Sequence, residues 1–181
     1  MNHKAVLDEL IKDLFNEDEM GSVIRAHIRI ENTLINIINI TAPNPNYIKK
    51  LNLDFDGSVT LALLLGLSEE YAKPLTVLGK LRNDFAHKPN MKLSKNEVNN
   101  LYKSLNSEAK EFIQNSFKEI KEKNETIRPF KKFSDVPPID QFRLIVVNIW
   151  AQIQSSLYIL SGEDHAAKRR QLSKRYVYCV V

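Results

Sequence analysis

Apolar residues recur along this chain at the three- and four-residue spacing of helices, one segment after another. Over residues 4–16, Val6, Leu7, Leu10, Ile11, Leu14 and Phe15 predict a first helix. Gly21 and Ser22 then open "VIRAHIRIENTLINIINI". Its apolar set Val23, Ile24, Ile28, Leu34, Ile35 and Ile38 fits one wide stripe, which Ile30, Ile37 and Ile40 broaden. A helix apolar on so many sides is expected at the centre of a bundle. The prolines of "TAPNPN", 41–46, stop it, because proline disfavours helix in itself and in the residue before it.

The stretch "FDGSVTLALLLGLS" predicts a short helix capped by Gly57-Ser58 and ending near Gly66. Residues 69–87 carry Tyr71, Leu75, Leu78, Leu81 and Phe85 along one face, and Lys88-Pro89 ends that helix. Ser94 precedes Glu97 by three, a capping box, and the helix it starts is expected to run through "VNNLYKSLNSEAKEFIQNSFKEIKEK". Pro129, Pro137 and Pro138 mark 126–140 as a linker. The apolar run "FRLIVVNIWAQIQSSLYIL" is long enough to be a buried helix rather than a strand. The expected architecture is all-α: an up-and-down bundle of about five helices over 1–125, a Pro-rich linker over 126–140, and a C-terminal helix with a basic tail over 141–181 that packs on the bundle.

Composition agrees with a globular helical chain. Of 181 residues, 43% are hydrophobic and 27% charged, and only five are glycine. The length suits one domain with an appended element. No run approaches the ~20 apolar residues that span a bilayer, and the charged start "MNHKAVLDEL" is not that of a signal peptide. The single cysteine, Cys179, cannot build an internal disulfide, so a cytoplasmic setting is expected. The formal charge of +4 is unevenly spread. Acids dominate residues 8–19, whereas Lys168, Arg169, Arg170, Lys174 and Arg175 form a basic tail. Such a tail is either a solvated terminus or a contact for RNA phosphates.

Chemistry is suggested by "LGKLRNDFAHKPN", residues 78–90. Arg82 and Asn83 are followed by His87 just where Lys88-Pro89 stops the helix, at its negative end. On an ideal helix Arg82 and His87 lie ~140° apart, while Asn83 and His87 share a face. Cleavage of RNA by its own 2′-hydroxyl needs a base, an acid and a cation beside the phosphorane. Histidine suits both proton roles and arginine suits the phosphate. One chain supplies one such pair; two chains across a two-fold axis supply two, with no metal. On the central helix, Arg25 and Arg29 are four residues apart, as are His27 and Glu31. Glu31 and Arg29 are therefore site-lining candidates, as is Asp84, which is equally placed to pair with Lys80 or Lys88. The four histidines are scattered, zinc spacing is absent, and neither a nucleophile motif nor a phosphate-cradling glycine loop occurs. No metal and no cofactor are expected.

The segment "LRNDFAH" resembles the Arg-polar-x3-His motif of the HEPN superfamily. Over residues about 20–115 the chain further resembles the mannitol operon repressor family, through "RAHIRIENTLINII", "FDGSVTLALLLGL" and "LGKLRNDFAH". The resemblance implies a helical bundle that dimerises. It also implies a metal-independent endoribonuclease of toxin or phage-defence type, with Arg82 and His87 catalytic and Asn83 supporting them. An antitoxin or regulatory protein would then be a partner. The mannitol repressor family implies instead a transcriptional regulator acting through protein contacts, with no nuclease role. Residues 126–181 have no counterpart in either pattern.

Overall fold

The computed structural model describes residues 3–88, 90–123 and 125–162. They form seven α-helices: α1 (His3–Phe15), α2 (Glu19–Thr41), α3 (Phe55–Leu64), α4 (Ala72–His87), α5 (Lys95–Ser104), α6 (Ser107–Lys123) and α7 (Pro138–Leu160). Short 3₁₀ turns lie at Pro45–Leu51, Glu69–Tyr71 and Phe133–Asp135, and no strand occurs among the described residues. The chain is an all-α bundle. None of its described helices is long and apolar enough to cross a membrane. The basic residues Lys168 to Arg175, and Cys179, lie outside the described residues.

Two helices carry the core. α2 packs against α1, α3, α4 and α7, while α7 packs against α1, α2, α5 and α6. From Gln141 to Ala151, α7 buries ten of eleven side chains; only Arg143 keeps some exposure, its side chain 11% open. Such all-round burial explains why this stretch reads as a continuous apolar run rather than a stripe. Most polar groups buried with it are satisfied, Arg143 Nε being the exception. Trp150 Nε1 donates to Thr33 Oγ1 at 3.2 Å, and that hydroxyl donates to the Arg29 carbonyl at 2.9 Å. Gln141 donates to the Val136 carbonyl at 2.6 Å. The Pro-rich segment before α7 is docked: Ile127, Phe133 and Val136 are buried, and Phe133 packs on Tyr102 of α5 and Phe117 of α6. α7 itself begins at Pro138, inside the range read as linker, since proline is welcome in a first helical turn.

Three other boundaries differ from the sequence reading. α2 starts at Glu19 because Asp18, not Gly21-Ser22, caps it, accepting from Gly21 N at 2.7 Å. Asp54 does the same for α3, accepting from Gly57 N at 2.8 Å in place of the expected Gly57-Ser58 cap. The single helix expected after Ser94 is two. Leu105 leaves the helical region with ψ 151°, and Asn106 starts a new helix by accepting from Ala109 N at 2.8 Å. The Ser94–Glu97 capping box is present as read. Gly66 follows α3 at φ +111°, a conformation open to glycine and strained for other residues.

The apolar stripe of α2 also falls elsewhere. Val23, Ala26, Ile30, Thr33, Leu34, Ile37 and Ile38 are buried, whereas Ile28, Ile35 and Ile40 remain 47%, 38% and 45% exposed. The exposed side is the one that carries Arg25, Arg29, Asn32, Asn36 and Asn39, and Ile28, Ile35 and Ile40 flank it.

Arg143 locks α7 to the α1–α2 turn. Its guanidinium donates to the Glu17 carbonyl at 2.7 Å and to Asp140 Oδ1 at 3.1 Å, and stacks 4.8 Å from the centroid of the Phe15 ring. Ser22 reinforces the same corner by donating to the Leu14 carbonyl at 2.8 Å. Replacing Arg143 with Met keeps the stem and removes these bonds. The expected loss is about 1.5–3 kcal/mol of unfolding free energy, from the usual worth of charge-assisted hydrogen bonds, read as a lower urea midpoint at unchanged m-value.

Candidate functional site

α4 presents "LRNDFAH" because its buried face is fixed by Leu75, Leu78, Leu81 and Phe85, which turns Arg82, Asn83 and His87 outward. Arg82 Nη1 donates to Asn83 Oδ1 at 3.2 Å, so the two side chains are held together. His87 is exposed in the last turn of α4. Lys88 then closes the helix, its N–H bonding to the Asp84 carbonyl at 2.9 Å. Asp84 is engaged by Lys88 Nζ at 2.7 Å, and that hydrogen bond holds the carboxyl below its ordinary range. Of the two lysines placed to pair with it, Lys88 makes the contact.

Beside Arg82 an open groove of about 370 Å³ runs between α2, the start of α3, and α4. Ile24, His27, Ile28 and Glu31 line it from α2, Asp54, Phe55 and Asp56 from the start of α3, and Gly79, Arg82 and Asn83 from α4. Three expected site residues therefore meet here: Arg82, Asn83 and Glu31. The others are placed elsewhere. Arg29 turns to α1, pairing with Glu9 at 2.8 Å and Asp13 at 2.5 Å, and those carboxylates raise its pKa against the opposing effect of burial. Asp84 serves the helix end, and His87 stands beyond the groove lining.

Asp54, Phe55, Asp56 and Gly79 join the lining without being site candidates in the sequence, and Ile24 and Ile28 read there only as an apolar stripe. The signal of the first four is faint: "LDFDG" reads as a helix start, and nothing in it announces that α4 will pack on it. Gly79 is what permits that packing. A Cβ built there would stand 3.0 Å from Phe55 Cδ1 and 3.2 Å from Cε1, closer than side chains normally approach. The Phe55 ring lies between Gly79 and His27, with the imidazole centroid 4.1 Å from its own.

His27 is 7% exposed. Its Nδ1 is 3.9 Å from Glu31 Oε2, beyond hydrogen-bond reach, and neither ring nitrogen has a hydrogen-bond partner among the described residues. Burial first, and the Arg82 charge second, lower its pKa from 6.5 to about 4 against the opposing effect of Asp56. The imidazole is therefore neutral at physiological pH, able to donate from one nitrogen and accept at the other. The groove as a whole sets one cation, Arg82, among three carboxylates, with an apolar and aromatic floor. Among the described residues no group of three or more His, Cys, Asp or Glu side chains is placed to hold a metal ion. No protein-family model, curated protein or solved structure matches the chain.

Two outcomes follow from this packing. Because the folded pKa of His27 lies below its ordinary 6.5, the unfolded chain binds the extra proton between those values. Stability must then fall as pH drops from about 6.5 towards 4. The contribution is at most about 3 kcal/mol across that window and smaller once solvent screening is counted, so His27→Gln should show a flatter urea-stability profile between pH 7 and pH 4 than the wild type. Gly79→Ala makes the Phe55 ring give by a few tenths of an ångström. Overpacking of about 1–3 kcal/mol, set against about 1 kcal/mol of helix propensity gained, leaves an expected net loss of up to about 2 kcal/mol, measurable by thermal or urea unfolding.

Proposed function

We propose that this chain is a HEPN-like, metal-independent endoribonuclease of toxin or phage-defence type that acts as a homodimer. The observation that supports this most is the presentation of Arg82. It is coupled to Asn83, opens on a groove, and has the exposed His87 one helical turn beyond. Had both side chains been buried in the core, the chemistry would have had no access to substrate.

In this reading a neutral His87 takes the proton of the ribose 2′-hydroxyl, and the 2′-oxygen bonds to phosphorus. Arg82 donates to the equatorial oxygens of the phosphorane, with Asn83 holding the guanidinium in place. The bond from phosphorus to the 5′-oxygen breaks, and the leaving oxygen takes a proton from the protonated His87 of the second copy. The products are a 2′,3′-cyclic phosphate and a free 5′-hydroxyl, with protons balanced across the pair. Two chains are required because Arg82 and His87 diverge by ~140° on one helix.

A second reading, a non-catalytic regulator like the mannitol operon repressor family, draws support from the same groove. Its three carboxylates, next to the exposed Ile28 and Ile35 of α2, suit protein contacts better than bare phosphate. Inducible expression separates the two. The nuclease reading expects growth arrest and RNA fragmentation with wild type, and at least a 100-fold loss of cleavage, the usual scale for one catalytic group, in Arg82→Ala and His87→Ala at equal protein level. Absence of toxicity and cleavage in all three favours the regulator.

A further inference from the structure

The groove beside Arg82 has a composition that a phosphodiester alone does not explain. One arginine faces Glu31, Asp54 and Asp56, so a second phosphate placed there would meet carboxylates. What complements such a lining is a flat group rich in N–H donors, attached to a single anion that reaches Arg82. The floor agrees, since Ile24, Ile28 and Phe55 offer apolar and aromatic surface. The volume, about 370 Å³, is in the range of small-ligand sites.

We propose that this groove seats a guanine base of the RNA next to the phosphate held by Arg82, with Glu31 and Asp56 reading its donor edge. The assignment deepens the nuclease reading and rests on it. Guanine alone among the four bases presents two adjacent donors, N1–H and the N2 amino group, which one carboxylate accepts side by side. Uracil presents one N–H flanked by two carbonyls, and those carbonyls face the carboxylates unfavourably. Adenine and cytosine each set an amino group beside an unprotonated ring nitrogen, so one carboxylate oxygen is satisfied and the other repelled.

The three acids are not equivalent. Asp54 Oδ1 is committed to capping α3 through Gly57 N. Glu31 lies 3.9 Å from the His27 nitrogen, short of a bond, and the Asp56 carboxylate approaches Gly79 on the groove side. These two are the free acceptors. His27 adds hydrogen-bonding capacity to the groove: the ring lines it, and its nitrogens make no hydrogen bond to other described residues. The nitrogens open on the groove and are not sealed in the core, since Arg143 Nε is the one buried side-chain nitrogen or oxygen without a partner among the described residues, so they are available to a ligand. The O6 or N7 acceptor of guanine, or a ribose hydroxyl, would supply a partner.

Calorimetric titration of the full-length protein with 3′-GMP, 3′-AMP, 3′-CMP and 3′-UMP at low salt tests the assignment. The expected result is 3′-GMP bound at least about tenfold more tightly than 3′-UMP, the usual scale of one bidentate base contact. Glu31→Gln and Asp56→Asn should each remove most of that preference, weakening 3′-GMP while 3′-UMP binds no more weakly than to wild type, with circular dichroism melts confirming the fold. Equal affinity for all four nucleotides overturns the proposal. So does the absence of nucleotide binding together with capture of an arginine-rich peptide, which would make the groove a site for a basic protein segment. The outcome is separable from that of the nuclease reading. Guanine preference in a protein that never cuts RNA sinks the nuclease alone, and RNA cleavage lost in Arg82→Ala without any preference for 3′-GMP sinks the base assignment alone.

Discussion

The structure depends on the burial of α7 against α2. Each is 23 residues long; α7 has no side that suits water along its whole length, and α2 has only the narrow polar line of Arg25, Arg29, Asn32, Asn36 and Asn39. Pairing them, with Trp150 bonded to Thr33 across the contact, commits one face of α2 to the core and leaves the opposite flank to α3 and α4. The groove is a product of that commitment. It opens where α3 starts and α4 crosses, along the edge of α2 that holds Ile24, His27, Ile28 and Glu31. The extra helix of the second half follows the same logic. α5 and α6 each pack on α7, and the break at Leu105 lets the chain follow α7 with two short helices instead of one long one.

What was legible in the sequence was local. The Ser94–Glu97 capping box, the helix stop at Lys88, and the apolar face of α4 all depend on residues within a few positions of one another. The caps at Asp18 and Asp54 are local too, but each competes with a neighbouring Gly-Ser pair that looks equally fit, and only the backbone geometry separates them. The isoleucines of α2 alone do not mark its buried side; the polar line of Arg25, Arg29, Asn32, Asn36 and Asn39 does, and Ile30, Leu34, Ile37 and Ile38 are buried opposite it. Of the site, Arg82, Asn83 and Glu31 carry recognisable chemistry. Phe55 and Asp56 acquire theirs only when Gly79 admits α3, and Arg29 loses its candidacy only when α1 offers Glu9 and Asp13.

The stack of His27, Phe55 and Gly79 ties packing to chemistry in the same atoms. Phe55 fills the space a side chain at 79 would need, and its face shields the imidazole from water. Desolvation then keeps His27 uncharged beside Arg82, which leaves the arginine the groove's one fixed cation. A change at any member of the stack alters the volume and the charge of the groove together.

Beyond His87, the chain turns through Asn90, at φ 74°, and Leu93 enters the core. The Leu93 N–H donates to Glu19 Oε2 at 2.7 Å, joining the segment after α4 to the first turn of α2. Both walls of the groove are thus stitched together just past its end, by a carboxylate on one helix and a main-chain amide beyond the other. Such a seam fixes the spacing of the walls before any ligand arrives. A molecule that fits would find its contacts already spaced, and its affinity would be little eroded by the entropy of ordering the protein around it.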